Sequence, residues 1–594
     1  MTSKTGFFNP TIARSAFKRT MPLWAVHAVI WIFAMPVLLG NLSSYYGENP
    51  ERLGYYILMT MFIGGTLMAF GFCCALSEIL CNYLYSSKSI GFYHSLPVKR
   101  SCIFSTHLIV QLGVLLVPAA LIGAFSAIML TPTMGGDAWY YIGKWLLCYV
   151  FFCVFFTGFS LLCCHLTGHV AFGTVFYLIL NFAAVILEGL IRTLSSFFIY
   201  GMTFRSDFVL DALSPIIHNY TRFNVNMGQG SYYAFSGSTY YVILAAAGCV
   251  MTALAFMLYQ SRKSESSGEV VSSAPLRPVF KYCMTAGFGV IVGFVFYALS
   301  YQLYNDGHSL LWLGICMTAA SAIGYFGSEM LLKKSLKVLK YWKGFLLPVA
   351  LIVFFMVSIS FDLFGMESYV PSPDKADSVY LSVDGANIKV PSDSPIYDKI
   401  TALHSVIVEN KKANLSYYDE SSRAWHDCDM LYAYFTYNLK NGNELRRQYD
   451  LPVSLEPYDI MGYDKAMSEI FTDPEALDIM YAGIFSEEAS LSMAYVYPWN
   501  YDECLTIDSP HYKELLTALR TDLLSGSIST YGHTTETEDT YYLEIAVPDP
   551  YDDLDSASLP SARDVIYYQF PITPQAEKTY AIITNSANYV PVEG

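Results

Sequence analysis

Charged side chains are scarce in this sequence. Asp, Glu, Lys and Arg make up 14% of its 594 residues, whereas 54% of the residues are apolar. Ordinary soluble proteins carry about 25% charged residues, so this scarcity excludes a typical water-soluble protein. The composition therefore indicates a membrane protein.

The common nucleotide- and metal-binding motifs are also missing. The sequence has no Gly-rich loop closed by Lys and Ser or Thr, which would bind the phosphates of ATP. It has no CxxC pair and no HExxH motif, so metal-dependent hydrolysis has no ligand set. We therefore expect no enzymatic activity, no metal and no cofactor in this chain. Any ATP and Mg that it depends on would be bound by a partner.

Long apolar runs are present instead, and each is long enough to cross a hydrocarbon layer of roughly 30 Å. The charged opening, with Asn9 and Pro10, does not have the pattern of a removable signal peptide. The nine predicted spans lie near residues 22–40, 54–81, 104–131, 141–164, 170–194, 238–260, 281–303, 309–330 and 344–364.

Charge is distributed unevenly along the chain. Residues 1–364 carry a net charge of +9 and residues 365–594 carry −24. In the short connections, sixteen Lys and Arg fall on one side of the predicted membrane and five on the other. Because cytoplasmic loops carry the excess of Lys and Arg, we expect a multi-pass membrane protein with a cytoplasmic N-terminus and an extracellular C-terminal region.

Five segments follow from this pattern. Residues 1–20 predict an interfacial amphipathic helix capped by Asn9, with a loose basic tail as the alternative. Residues 21–260 hold six spans, 261–280 a cytoplasmic linker, 281–364 three further spans, and 365–594 an extracellular domain. The fold class is thus a membrane α-helical bundle of about nine transmembrane helices plus a C-terminal α+β domain. No repeat with a period of 20–50 residues is visible.

The C-terminal region shows alternating and helical apolar patterns. We expect a strand over 378–384, a helix after a Ser394 cap, and a hairpin with a two-residue turn at Asn441-Gly442. Further helices are predicted at 458–484 and 509–525, and strands near 540–547 and 564–571. Cys428 and Cys504 are its only cysteines, and a disulfide between them is left open.

Polar residues inside the spans are candidate functional positions because they are costly to bury in lipid. For each, an interhelical hydrogen bond is an alternative to a substrate contact, and Glu188 and Arg192 have the i, i+4 spacing of an ion pair. Gly289 and Gly293 have the spacing of a helix-packing face. The candidate polar sites are Glu78, His107, Asn181, Glu188 and Arg192, with His27, Glu329 and Asp362 as further polar positions.

One polar, aromatic stretch interrupts two long apolar runs. Residues 91–100 read GFYHSLPVKR and fall between the second and third spans, on the predicted cytoplasmic side. Aromatic side chains at a loop tip are suited to fill a partner's groove. The alternative is an interfacial aromatic belt with basic anchors.

The order of these elements resembles the permease subunits of bacterial ABC-2 type ATP-binding cassette transporters. It is similar, more narrowly, to the Firmicutes group related to the acetoin-utilisation transporter permeases. The stretches that carry the likeness are SKSIGFYHSLPVKR at 87–100, YQSRKSESSGE at 259–269 and YNLKNGNELRRQYDLP at 437–452. The last resembles a C-terminal domain of unknown function found on that group.

The resemblance implies a coupling helix that is seated in a cleft of a cytosolic ATPase. Its expected residues are Phe92, Tyr93, His94, Ser95 and Leu96, followed by Lys99 and Arg100. The other expected partners are a second permease copy or a sister permease, and membrane lipid. The resemblance also implies a bacterial plasma membrane as the location. Three extra spans and a large outer domain depart from the six-span pattern.

Two functions are therefore expected. The first is the membrane subunit of an ABC exporter for an amphipathic substrate, such as a peptide, a lipid-linked compound or a hydrophobic drug. The second is an envelope sensor or mechanotransmission protein driven by the same ATPase without moving cargo. A secondary transporter is disfavoured, since paired discontinuous helices and buried ion ligands are not evident in the sequence. The acidic domain either attracts a cationic peptide or is a solubilising surface.

Overall fold

The structure is a computed structural model in which the chain folds into two units. The first unit comprises 1–191, 206–305 and 309–355, and the second comprises 192–205, 306–308 and 356–594. The structure describes residues 6–46, 50–205, 207–221, 238–262, 267–272, 275–304, 310–417, 428–454, 462–486, 493–500, 504–531, 539–548, 565–585 and 588–589.

Most of the helices up to residue 360 are long and apolar. Turns of π-helix at Phe33–Val37, Thr60–Gly65 and Phe288–Val292 interrupt three of the spans, and Pro36 lies within the first of these turns. The α-helices are α1 Pro10–Ile32, α2 Leu38–Tyr46, α3 Pro50–Met59, α4 Thr66–Cys81, α5 Ser87–Ser95, α6 Arg100–Met134, α7 Asp137–Leu166, α8 Val170–Phe198, α9 Pro215–Thr221, α10 Ser238–Ser261, α11 Leu276–Gly287, α12 Gly293–Tyr304, α13 Leu310–Lys333 and α14 Leu346–Ser360. Of these, α2, α5 and α9 are short.

Within the described part of the chain, nine helical stretches are long and apolar enough to cross a membrane. Each overlaps one predicted span, so the expectation of a multi-pass helical membrane protein is confirmed. The first four extend past their apolar runs at both ends, because a helix continues into the polar region at either face of a membrane. Their bounds are Pro10–Tyr45, Arg52–Tyr85, Arg100–Met134, Asp137–Leu166, Val170–Phe198, Thr239–Ser261, Leu276–Ser300, Leu310–Lys333 and Leu339–Ser360.

The helix at the start of the chain does not stop at residue 20. Asn9 caps it as expected, since its Oδ1 accepts the amides of Thr11 at 3.0 Å and Ile12 at 3.2 Å. The helix then continues through Pro22 into the first span. A proline costs a helix one backbone hydrogen bond, a cost that burial of the surrounding apolar residues can offset. The helix is therefore continuous across the expected boundary between residues 20 and 21.

The first unit is organised around α7, which is the most enclosed of the candidate spans. Of its most apolar stretch, 67% is buried inside the chain, against 17% for α8 and for Leu339–Ser360. It packs on α4, α6 and α10. The predicted packing glycines face α13 of the same chain, where a side chain at Gly289 would meet Ser321 and one at Gly293 would meet Met317.

The second unit contains two four-stranded antiparallel sheets and short helices. The sheet orders are β2-β1-β3-β4 and β6-β5-β7-β8. The elements are β1 Ala376–Val383, β2 Ala386–Pro391, α15 Pro395–Glu409, α16 Lys411–Tyr417, β3 Cys428–Leu439, β4 Glu444–Ser454, α17 Tyr463–Phe471, α18 Pro474–Met480, α19 Ala482–Phe485, β5 Met493–Pro498, β6 Leu505–Thr506, α20 Tyr512–Leu524, β7 Tyr541–Pro548, β8 Val565–Ile572 and α21 Glu577–Ile583.

These two sheets are built in the same way. In each, a first hairpin is followed by a helix, a second hairpin and another helix, and the second hairpin pairs with the first strand of the first one. The helix between the hairpins packs on the helix that follows them, α15 on α17 and α20 on α21. We call β1 to α17 the first repeat and β5 to α21 the second repeat. The repeat is longer than the 20–50 residue periods sought in the sequence.

The predicted α+β character of the C-terminal region is confirmed. Ser394 caps α15, accepting the amide of Ile396 at 3.2 Å, and the strand and helix predicted at 378–384 and 509–525 appear as β1 and α20. The predicted turn is wrong in length: β3 and β4 are joined by residues 440–443. There only Gly442 has a positive φ, of 81°, because a longer hairpin loop needs one left-handed residue rather than two.

Candidate functional site

Residues 87–100 form a short helix between two spans. After α4 and a 3₁₀ turn at Asn82–Tyr85, α5 runs from Ser87 to Ser95, and Leu96 to Lys99 turn the chain into α6. The Oγ of Ser95 donates to the carbonyl oxygen of Phe92 at 2.8 Å, which satisfies one acceptor at the end of the helix. The predicted coupling residues are therefore brought together on one compact element.

The side chains of this element point in two directions. Phe92 is 64% exposed, and Lys99 is exposed as well. Tyr93 instead stacks on Tyr83, with ring centroids 4.3 Å apart, and its hydroxyl accepts from Arg19 at 3.5 Å. Leu96 is half-buried. The predicted set thus divides into a projecting aromatic residue and residues that fix the helix to its own chain. The side chain of His94 lies outside what the structure describes.

Arg100 belongs to the fixed group. Its Nη1 donates to the carbonyl oxygens of Gln260 at 3.3 Å and Arg262 at 3.1 Å, which lie at the end of α10. Arg262 in turn is buried, and donates to the carbonyl oxygens of Cys164 at 3.4 Å and Leu84 at 3.3 Å. Burial lowers the pKa of the Arg262 guanidinium, and the nearby Tyr and Cys side chains oppose that shift.

An aromatic cluster lies beneath α5. Tyr83 donates from its hydroxyl to that of Tyr259 at 2.9 Å, and His165 packs on Tyr259 with ring centroids 5.3 Å apart. We call Tyr83, Tyr93, Arg100, Tyr259 and Arg262 the loop cluster. It joins the ends of α4 and α10 to α5 and α6. Of these residues the sequence singled out only Tyr93 and Arg100, because the others sit at span ends where aromatic and basic residues are common.

Two of the predicted polar sites lie near this end of the bundle. Glu78 is buried in α4 and accepts from the hydroxyl of Tyr85 at 2.8 Å. His107 is buried in α6 beside Tyr83, and its Nε2 has no hydrogen-bond partner among the residues that the structure describes.

The other three predicted polar sites lie along α8. Asn181 donates to the carbonyl oxygen of Tyr177 at 2.8 Å, a bond within its own helix. Glu188 accepts the amides of Val209 and Leu210, each at 2.7 Å, and so caps the 3₁₀ turn at Leu210–Leu213. Arg192 donates to the carbonyl oxygen of Arg205 at 2.6 Å. These contacts favour a structural role for Glu188 and Arg192.

Glu78 and Glu188 do not share a site. A side chain at Gly173 would meet the Glu78 carboxylate, and Glu188 follows fifteen residues later on the same helix. At 1.5 Å per residue the two carboxylates lie roughly 20 Å apart along α8. A chain of carboxylates for proton transfer is not formed by this pair.

The spans also contain polar groups that sequence reasoning did not single out. The Nε2 of Gln111 donates to the Ser77 hydroxyl at 2.8 Å and to the Thr157 hydroxyl at 3.3 Å, which links α4, α6 and α7. His27, which was singled out, accepts from the indole of Trp31 at 3.0 Å and lies 2.7 Å from the Tyr149 hydroxyl. Glu329, also singled out, forms an ion pair of 3.0 Å with Lys281 between α13 and α11. All of these residues hold helices of the first unit together.

The first repeat of the second unit has a buried polar cluster. The Nδ1 of His404 lies 2.9 Å from the Tyr437 hydroxyl, and its Nε2 lies 2.9 Å from the Tyr449 hydroxyl. Burial, reinforced by the nearby Arg447 charge, lowers the pKa of His404 to about 3. The imidazole is therefore neutral at pH 7, donating to one tyrosine and accepting from the other. We call His404, Tyr437, Arg447 and Tyr449 the first-repeat cluster.

Arg447 connects this cluster to two segments that lead out of the sheet. It donates to the sulfur of Met202 at 2.8 Å and to the carbonyl oxygen of Met366. Alongside, the amide of Gln448 donates to the carbonyl oxygen of Gly201 at 3.0 Å. Burial lowers the pKa of the Arg447 guanidinium. The edge strand β4 is thus covered by the residues that follow α8 and α14.

A second set of contacts joins the same two segments. The carboxylate of Glu367 accepts the amide of Tyr200 at 2.9 Å and forms an ion pair with Lys411. The Nδ2 of Asn414 donates to the Tyr200 hydroxyl. Asp362 accepts the amides of Met366 at 2.6 Å and Ser368 at 3.1 Å, so this predicted polar position shapes a turn.

The described residues also bear on metal binding and on the two cysteines of the C-terminal region. No group of three or more His, Cys, Asp or Glu in the described part of the chain is placed to bind a metal ion. Cys504 is an exposed free thiol, and the side chain of Cys428 is not among those described.

Comparison with protein families, with curated proteins and with solved structures gives no match to this chain. Its function must therefore be argued from the residues and their contacts.

Proposed function

We propose that this chain is the membrane subunit of an ATP-binding cassette exporter, in which α5 is the coupling helix that receives a separate cytosolic ATPase. The projecting Phe92, backed by the fixed Tyr93 and Arg100, carries this proposal. A large aromatic side chain on a rigid base is the type of residue that dominates binding energy at protein interfaces.

The arrangement around α5 suits the transmission of force. The helix is tied through Tyr93 and Tyr83 to α4, and the Arg100 guanidinium ties the start of α6 to α10. A push on Phe92 from an ATPase that closes on ATP would therefore displace several span ends together. Such rigid-body movement between two packings is a standard means of switching a transport path.

The partners follow from the same proposal. ATP and Mg belong to the ATPase, and a second copy of this chain or a sister permease completes the path for an amphipathic substrate. In this scheme the chain would cross the membrane nine times, with its N-terminus in the cytoplasm and the second unit outside the cell.

Co-purification tests the proposal. The full chain is co-expressed with ATP-binding cassette ATPases encoded beside its gene and purified in detergent. We expect a stable complex that Phe92→Ala weakens about thirtyfold, since a hot-spot aromatic residue contributes roughly 2 kcal/mol. The matched control is Leu336→Ala, which removes another exposed apolar side chain, 82% exposed, and should leave binding unchanged. Equal retention by both variants would contradict docking at α5.

Sidedness is tested by thiol labelling of intact cells. With His94→Cys, we expect no labelling at position 94 by a membrane-impermeant maleimide, and labelling at that position after the cells are opened. The exposed thiol of Cys504 serves as the internal control, because it should react in intact cells. Labelling at position 94 in intact cells would overturn the orientation and the proposed function with it.

A sensor or mechanotransmission protein is the second candidate. It is favoured by the way Tyr200, Met202, Met366 and Glu367 secure the segments after α8 and α14 to the first repeat. These contacts would couple a ligand of the second unit to two helices. A ligand that stimulates the ATPase but never accumulates in inverted vesicles would favour this function over export.

A further inference from the structure

Arg262 occupies an unusual position for a residue that directly follows a membrane span. It lies one residue beyond α10, yet it is only 9% exposed. A basic residue that merely anchors a helix end reaches toward water and lipid head groups. The burial of Arg262 inside its own chain therefore requires another explanation.

Its two terminal nitrogens reach two different helix ends. One donates to the carbonyl oxygen of Cys164, in the last turns of α7, and the other to that of Leu84, in the 3₁₀ turn before α5. Carbonyl groups at the ends of helices lack partners within the helix, and a cation there also interacts favourably with the helix dipole. A planar guanidinium can bind both carbonyls at once, whereas the single ammonium of lysine is a point charge.

The backbone of Arg262 is itself held from a third direction. Its carbonyl oxygen accepts from Arg100 at the start of α6, at 3.1 Å. The Ser267 hydroxyl farther along the same segment lies 3.0 Å from the hydroxyl of Ser87 at the first residue of α5. The segment after α10 thus contacts the turn before α5, the first residue of α5, and Arg100 at the start of α6.

We infer that Arg262 is a positioning residue for the coupling helix: its guanidinium binds the end of α7 to the 3₁₀ turn that follows α4 and thereby holds α5 in the orientation that presents Phe92. This inference rests on the proposed function for the partner that α5 receives. The orientation of α5 itself does not depend on that partner. Arg262 makes no contact with the ATPase in this scheme and acts through α5.

Hydrogen exchange of the full chain in lipid nanodiscs, without any ATPase, is the first test. We expect Arg262→Gln and Arg262→Lys each to raise the exchange rates of amides in α5 about tenfold, the loss expected for one hydrogen bond to a charged group. Amides of β3 and β4 should be unchanged. The matched control is Arg277→Gln, since Arg277 lies in the same region but pairs with Glu269 and is 42% exposed. Should Arg262→Gln fail to fold, Arg262→Lys keeps the charge and still removes the two-carbonyl contact.

The second test measures coupling to the ATPase that co-purifies with the chain. The Arg262 variants should reach half-saturation at an unchanged concentration of ATPase, because Phe92 is intact. Their maximal stimulation of ATP hydrolysis should fall about tenfold, the same factor as the change in exchange rates.

Two outcomes would overturn the inference. In the first, the amides of α5 in Arg262→Lys exchange at the wild-type rate. In the second, they exchange equally fast in Arg262→Gln and Arg277→Gln. If no ATPase binds to the wild-type chain, the proposed function fails, whereas the exchange rates still decide the role of Arg262.

Discussion

The two repeats of the second unit share a strand order but differ in what fills their cores. In the first repeat, His404, Tyr437, Arg447 and Tyr449 are buried between α15 and the sheet. In the second repeat, the facing positions of α20, β7 and β8 are apolar, with Leu519, Leu543, Ile545, Phe570 and Ile572 in the core. One topology is therefore stabilised in two ways.

The difference coincides with the connections of each repeat. Residues after α8 and α14 fold onto β4 of the first repeat, where Arg447 contacts Met202 and Met366. Burial of a charged group costs free energy that apolar packing does not. The second repeat packs apolar side chains between α20 and its sheet, whereas the first repeat places a polar cluster there that also fixes two further segments in one arrangement.

Removal of Arg447 should have the largest effect on this comparison. We expect Arg447→Ala to lower the free energy of unfolding of the first repeat by about 4 kcal/mol, because it leaves a cavity and removes the donor to the Met366 carbonyl oxygen. Native-state hydrogen exchange of β3 and β4 measures this loss of stability. The substitution should also weaken the hydrogen bond from the Gln448 amide to the Gly201 carbonyl oxygen, so that this amide exchanges faster. The control is the neighbouring Arg446→Ala: Arg446 is half-buried on the opposite face, and its change should cost about 0.5 kcal/mol or less. Similar losses of stability in the two variants would show that Arg447 in the first-repeat cluster stabilises the repeat no more than Arg446 does.

The second largest expected effect is that acidification lowers the stability of the first repeat more than that of the second. In the folded chain His404 binds a proton only near pH 3, against 6.5 for an ordinary histidine, because it is buried. Between these values the unfolded state binds more protons, so the stability of the first repeat falls as the pH falls. From pH 7 to 4.5 we expect a loss of roughly 2 to 3 kcal/mol, since each pKa unit corresponds to 1.36 kcal/mol.

The pH experiment has two controls. His404→Leu should flatten the pH dependence of exchange in β3 and β4, and β7 and β8 should show no matching slope. Keeping the pH above 4.5 avoids Asp473, where burial raises the pKa but hydrogen bonds from Lys399 and the Glu475 amide outweigh it and leave the pKa below 3.8. A slope that persists in His404→Leu would assign the effect to another group.

Sequence reasoning found the elements of this unit but not the relation between its halves. The apolar period of Ile400, Leu403 and Ile407 predicted α15 correctly, and His404 falls in the same stripe. A histidine within an apolar stripe was a signal for a buried polar contact. Its tyrosine partners come from β3 and β4, and long-range pairing of this kind is not encoded in local periodicity.

The candidate site shows the same limit. The aromatic stretch at 91–95 could be identified from composition, and it lies on one helix. Which of its side chains project could not be predicted, because that depends on Tyr83 in the preceding turn, which is held in turn by Tyr259 from a distant part of the chain. Arg262 entered the sequence reasoning as one positive charge among sixteen and as part of the stretch at 259–269, whereas its role depends on the carbonyl groups that its burial brings within reach.

A polar contact in the second repeat gives a smaller test of the comparison. The carboxylate of Asp522 in α20 accepts the amide of Thr579 at 2.7 Å and its hydroxyl at 2.8 Å, which joins α20 to α21. Asp522→Ala should cost the second repeat about 2 kcal/mol, because it leaves buried donors unpaired. Exchange of α21 amides measures this effect, and the exposed Glu514→Ala serves as the control. Faster exchange in the first repeat as well would mean that the two cores unfold as one.

The smallest expected effect comes from a single hydroxyl at the edge of the first repeat. Tyr200 accepts from Asn414, and burial raises its pKa to about 12, so its hydroxyl is protonated at pH 7. Tyr200→Phe removes only the hydroxyl and keeps the aromatic ring that packs on Tyr449, with ring centroids 5.0 Å apart. We expect a loss of about 1 kcal/mol, the net value of one hydrogen bond. Confinement of faster exchange to α16 and β4 would show that the segment after α8 is held by separable contacts, whereas a loss as large as that of Arg447→Ala would show that the cluster and this segment form one cooperative unit.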